Sequence, residues 1–196
     1  VMRAQVLSAA LATALLATTL TTTARATTVN AATDGRWYQF DVDEMLSGNV
    51  RWVDAIVDDK GLYQGDYSDL TFTFTLNQTG TLTVVDAAIA GDEFQVKING
   101  RNYSTSLSLD PDSTSVGTNF DAALGDSHRY SYLTLQLAPG TYTVTGLLTA
   151  SALDNSGEPY NATVGGLRVS AVPVPASVWL FGSAIAAVFA RARRRV

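Results

Sequence analysis

The sequence predicts an all-β chain: an antiparallel β-sandwich or jelly-roll-like ectodomain between an N-terminal signal peptide and one C-terminal transmembrane helix. Three observations carry this. Residues 36–170 consist of short runs in which apolar and polar side chains alternate, the period of a half-buried strand. The runs are separated by turn pairs such as Asn99-Gly100 and Pro139-Gly140, and no segment between the two ends has helical periodicity. The apolar segments that break the alternation lie at the chain ends.

At the N-terminus, Arg3 supplies a positive charge ahead of the apolar run Val6 to Leu16, which Thr18, Thr19 and Thr21 to Thr23 soon dilute. That run is too short to span a bilayer. Ala24-Arg25-Ala26 then gives the small-x-small pattern of a signal peptidase site. We therefore read residues 1–26 as a signal peptide cleaved after Ala26, with Val29-Asn30-Ala31 as a second possible site.

The ectodomain, 27–170, reads as about eight or nine short strands. Trp37 to Val42 and Val50 to Ile56 are the first two. Leu70 to Leu76 is apolar at every even position and Thr at every odd one. Asn77 to Gly80 is a turn, and Thr81 to Val85 is the next strand. Phe94 to Ile98 alternates and runs into Asn99-Gly100, a hairpin signal because both residues tolerate positive φ. Arg101 to Leu107 is the return. Leu133, Leu135 and Leu137 alternate before Pro139-Gly140, with Tyr142 and Val144 on the way back. Leu167 to Ala171 is a short last strand. The stretch 108–127, rich in Asp, Ser and Gly, reads as a long loop.

The C-terminal segment, 171–196, has three parts. Val172-Pro173-Val174-Pro175-Ala176 is held extended by its prolines. Ala176 to Ala190 is uncharged and, at roughly 22 Å as a helix, shorter than a hydrocarbon core of ~30 Å. Trp179 falls where an interfacial aromatic anchors a span, and Arg191, Arg193, Arg194 and Arg195 form a basic stop-transfer tail. Motif, Trp-Leu-Phe-Gly run and Arg tail, in this order, resemble the PEP-CTERM class of bacterial sorting signals, closest to its Val-Pro-Leu-Pro-Ala variant. Val174 stands where that variant has Leu. The resemblance covers Val172 to Val196. It implies processing by an exosortase-type membrane protease, transient residence in the inner membrane, and a final place at the cell surface or in the extracellular matrix of a Gram-negative bacterium. It also implies an exopolysaccharide or biofilm setting. More loosely, Asp86, Gly91-Asp92, Phe94, Asn99-Gly100 and the later Leu137-Ala138-Pro139-Gly140-Thr141-Tyr142 resemble a sandwich that recurs in such proteins.

Charge and composition narrow the partners. All 18 acidic residues lie between the two end segments, while six of the 13 Lys and Arg residues lie within those segments, so the ectodomain carries a net charge of about −11. That disfavours nucleic acid and suits divalent cations, neutral glycans or plain solubility. With no Cys, the fold must hold by packing or with a metal. No enzyme is expected. His128 is the only His, and Ser127 and His128 are chain neighbours, whereas triad members converge from separate segments. No cofactor is required, but calcium is an expectation: Asp110, Asp112 and Asp121 share one loop, and Asp86 and Asp92 flank another. That Asp merely begins turns stays open beside it. Two functions compete, a structural or adhesive matrix component and a carbohydrate-binding module. Aromatic platforms would mark the second, with Trp37, Trp52, Tyr63, Tyr67, Tyr130 and Tyr132 as the candidates.

Overall fold

The computed structural model describes residues 26–54, 65–112 and 114–172. Among these residues nine strands form two sheets. The first holds β1 (Ala26–Asn30), β3 (Asp69–Leu76), β8 (Gly140–Ala150), β5 (Glu93–Ile98) and β6 (Arg101–Ser104), in the order β1-β3-β8-β5-β6. The second holds β2 (Asp34–Asp43), β9 (Ala162–Ala171), β4 (Gly80–Asp86) and β7 (Tyr132–Leu137), in the order β2-β9-β4-β7. Every pairing is antiparallel except that of β1 with β3.

The alternation read from the sequence places the core. Phe72, Phe74 and Leu76 from β3, Phe94, Val96 and Ile98 from β5, Leu82 and Val84 from β4, and Leu167 and Val169 from β9 are buried in one cluster between the sheets. The turn chemistry also holds. Asn99 and Gly100 have φ of 46° and 84°, and the Asn99 carboxamide bonds the Thr141 carbonyl and the Thr143 N–H of the neighbouring strand.

Four local readings are corrected. The expected strand over 50–56 is instead a wedge. Trp52 N–H donates to the Gly146 carbonyl and Leu70 N–H to the Trp52 carbonyl, so residues 50–53 fill the gap where β3 and β8 diverge. Val53 bridges both Asp41 and Asp69, one from each sheet, which prevents a regular ladder with either. Ala55 and Ile56 lie outside the described residues. The strand expected over 101–107 stops at Ser104, where the Thr105 hydroxyl turns inward and accepts the Phe94 N–H. The loop expected over 108–127 contains α2 (Phe120–Gly125), started by the Asn119 side chain accepting the Ala122 N–H and held by burial of Phe120 and Ala123. A single helical turn, α1 (Glu44–Ser47), is likewise capped by Asp43 and ended by Gly48 in the left-handed region. Both helices are too short to show a period in sequence.

Strand β1 was not expected. It lies on the edge of the first sheet, and the Thr27 and Ser68 hydroxyls bond at 2.7 Å. The chain enters there, beside Asp69, and β9 ends at the opposite end of the sandwich, beside Gly80. Val172, the first residue of the proline motif, is tied to that end: its N–H donates to the Thr79 carbonyl, and its carbonyl accepts from Gln78 Nε2 at 2.6 Å. Among the described residues no helix is long and apolar enough to cross a membrane. The signal-peptide residue Ala24 and the C-terminal calls Pro173, Val174, Pro175, Ala176, Trp179 and the Arg tail lie outside them.

Candidate functional site

Two features concentrate polar chemistry, both toward the end of the sandwich remote from Val172. The first is a groove of about 410 Å³ on the outer face of the five-stranded sheet. Outward-facing positions of four strands line it: Asp69 and Thr71, Thr145, Gln95 and Lys97, and Asn102. Arg51 from the wedge closes one side with a 2.6 Å ion pair to Asp69. Gly146 lies in the floor, with the Trp52 ring packed on its inner side. The groove thus offers a cation, an ion pair, two carboxamides and two hydroxyls, with no exposed aromatic ring among its lining residues.

The second is a set of oxygens inside the core. On β4 the inward positions read Leu82, Val84, Asp86; ahead of and along β5 they read Asp92, Phe94, Val96, Ile98. The same alternation that buries the apolar side chains therefore buries one carboxylate from each sheet, and the two meet across the sandwich. Asp86 and Asp92 are 0 % and 1 % exposed. Asp86 Oδ2 accepts the Asp92 N–H at 3.3 Å, and Asp92 Oδ1 accepts the Ala152 N–H at 2.8 Å. Asp86 lies between β7 and β9, next to Ser131 on one side and Gly165 on the other, with Thr163 one inward position further along β9. Asp86 Oδ1, Ser131 Oγ and Thr163 Oγ1 are buried without a hydrogen-bond partner. Burial pushes the Asp86 carboxyl up to about 9, with the Asp92 charge adding to the shift. Burial also raises Asp92, which the nearby hydroxyls of Thr163 and Ser151 partly offset. For Thr163 this is proximity, since its hydroxyl makes no bond of normal geometry.

The acidic residues expected to bind calcium do not converge. Asp112 is exposed and bonds Thr114 N–H at 2.8 Å and Arg129 at 3.1 Å; Thr114 first, then Arg129, holds its carboxyl below the usual value. Asp121 accepts from Trp37 Nε1 at 3.1 Å and pairs with Arg168 at 3.0 Å. Asp110 is exposed on the segment that folds back on the His128 carbonyl. Among the described residues no group of three or more Asp, Glu, His or Cys side chains is placed to hold a metal ion. The sequence signal for the pair that does meet is a carboxylate in inward register at the end of one strand and just ahead of the next.

The aromatic candidates are mostly committed to packing. Trp52 and Tyr130 are each 1 % exposed. Trp37 is half-buried, 5.5 Å from the Phe120 ring and covered by the Arg168 guanidinium at 4.3 Å. Tyr67 and Tyr132 are half-buried, and Tyr63 lies outside the described residues.

No known protein family matches the chain, and no curated protein does. Among solved structures it is similar to CorA, a surface-associated copper-binding protein of Methylomicrobium album BG8, with 11% identity and a TM-score of 0.40 over 74% of this chain and 98% of that one. It is also similar to the pre-peptidase C-terminal domain of a Bacillus anthracis collagenase, with 8% identity and a TM-score of 0.34 over 74% and 95% of the two chains. A third likeness is to the CBM35 of Cellvibrio japonicus Abf62, with 15% identity and a TM-score of 0.32 over 68% and 93%. These likenesses are distant, and the two-sheet architecture rests on the strand pairing itself.

Proposed function

We propose that the chain is an exported protein, sorted by its C-terminal segment to the cell surface or extracellular matrix, where its sandwich serves as a structural or adhesive component. The observation that carries this is the order of parts at the C-terminus. The last strand ends at Ala171, and the proline motif, apolar span and Arg tail follow with no intervening linker. Signal peptidase and an exosortase-type protease are the processing partners of this reading, and exopolysaccharide the surrounding one.

Two features of the fold support it. Cleavage after Ala26 keeps Thr27 and most of β1, whereas cleavage after Ala31 would strip an edge strand from the sheet and remove the Thr27–Ser68 bond. Tethering through Val172 also directs the groove end of the sandwich away from the attachment point. None of the five described candidate aromatics is exposed, which favours a structural role over a sugar platform.

Carbohydrate binding is the second reading, and the groove at Arg51, Asp69, Gln95, Lys97 and Asn102 is what favours it. Glycan-array binding that Asn102→Ala and Gln95→Ala both weaken would move it ahead. The first reading is tested by fractionating cells with and without the exosortase. The protein leaves the inner membrane in the first and stays there in the second. Replacing Pro173 and Pro175 with Ala reproduces the second pattern, because a helix then extends through the motif. Identical fractionation in both hosts rejects the reading.

A further inference from the structure

We propose that Asp86 and Asp92 hold a divalent cation of the calcium type at the end of the core opposite Val172, with the hydroxyls of Thr163 and Ser131 as neutral oxygen ligands. The geometry points there from three directions. Asp86 ends β4 in one sheet and Asp92 stands just ahead of β5 of the other, and both are buried, so no water screens them from one another. Three buried oxygens at this end have no hydrogen-bond partner: Asp86 Oδ1, the Oγ of Ser131, whose carbonyl accepts the Asp86 N–H, and the Oγ1 of Thr163, which lies by Asp92. A buried acceptor left unpaired is costly, and three sharing one end of a core are better explained by a common ligand than by separate defects. Among the described residues no Lys, Arg or His pairs with either carboxylate: the ion pairs there involve Asp34, Asp69, Asp112, Asp121 and Asp126.

The chemistry selects the ion. Two carboxylates neutralise a charge of +2 and leave no net buried charge, whereas a monovalent cation would leave one carboxylate uncompensated. All the ligands are oxygens, so the site suits a hard ion; thiolate and imidazole, which favour zinc and copper, are absent from it. An irregular set of carboxylates and hydroxyls suits calcium better than magnesium, which demands near-octahedral geometry and keeps several waters. The competing account is a shared proton between the two carboxylates with no metal at all. In a chain with no Cys, the ion would staple the two sheets where their hydrogen-bonded ladders end.

The test uses the full chain, with calcium itself as the probe. After dialysis against calcium, elemental analysis is expected to find one ion per chain. Melting in millimolar Ca²⁺ is expected to exceed melting in chelator by roughly 5–10 °C. Asp86→Asn and Asp92→Asn should each abolish the shift. Asp86→Asn should also melt above the wild type in chelator, because the metal-free wild type must take up a proton at Asp86 to fold at neutral pH and Asn need not. Asp112→Asn and Asp121→Asn should keep the full shift. The proposal is overturned if the wild type retains no calcium and melts alike in calcium and chelator, the result a shared proton gives. It is equally overturned if the shift survives Asp86→Asn or disappears in Asp112→Asn.

Discussion

Gly146→Ala probes the packing most directly. Gly146 on β8 and Gly165 on β9 face each other across the sandwich with two rings between them. Trp52 and Phe40 stack at 3.8 Å between centroids. A Cβ on Gly146 would fall 2.2 Å from Trp52 Cε2, and one on Gly165 would fall 2.1 Å from Phe40 Cζ. Ordinary carbon contacts lie at about 3.5–4.0 Å, so a methyl at 146 requires a shift of more than about 1 Å. The indole cannot retreat, because Phe40 lies behind it and the β9 backbone behind Phe40. Overpacking of this kind costs typically 1–3 kcal/mol, and with both retreats closed we expect about 3 kcal/mol. A second effect has the opposite sign. Gly146 does not have positive φ, so Ala is sterically allowed on the backbone and stiffens the unfolded chain, worth about 0.4–1 kcal/mol in favour of folding. The packing term wins, and the net loss is about 2 kcal/mol or more. Urea unfolding of residues 26–172, which hold both core clusters, should show the midpoint fall without a change in slope. Trp52→Phe should rescue the variant partly, with a coupling of about 1 kcal/mol or more, since it removes the ring atoms nearest the methyl and an indole N–H that is buried without a partner. A Gly146→Ala protein as stable as the wild type, or more so, would refute this account of the core.

Other outcomes follow from the same structure. Asp41 is pushed up from 3.8 to about 7, chiefly by burial, against the bond from Gln39 and with Asp54 and Asp43 adding to the rise. A carboxyl raised in the folded state favours folding fully below the unfolded value, and that contribution is lost as pH rises through the folded one. Asp41→Asn should therefore flatten the fall in stability between about pH 4 and pH 7, an effect on the order of 4 kcal/mol at most, read by urea titration across that range. Arg168→Ala removes both the guanidinium over Trp37 and the pair with Asp121, and should cost about 1 kcal/mol. Asp121→Asn, at an exposed carboxylate, should cost less than about 0.5 kcal/mol by the same assay.

The regular strands were legible because one residue type at a time decided them. The Thr alternation of β3 and the Asn99-Gly100 turn specify their geometry locally, without help from the rest of the chain. Residues 50–54 were not legible, because their alternation is that of a strand while their partners come from both sheets at once. α2 was hidden because a single capped turn needs only Asn119 and two buried side chains, too few positions to show a period. The site was half legible. Asp86 and Asp92 flank one loop in the sequence, whereas the acids of 108–127 are the more crowded set. Crowding in sequence is a weak guide there, since Asp112 and Asp121 turn to different arginines. Inward register was the better guide, because a carboxylate placed where Phe and Val belong has to find a counter-charge or keep its proton.

The central claim, that the chain is exported and processed at both ends, is tested most directly by the intact mass of the protein released at the cell surface. The account predicts one species that begins at Thr27, keeps the whole sandwich through Ala171, and lacks Arg191, Arg193, Arg194 and Arg195. A surface species that retains Arg3 or still carries Val196 would contradict it.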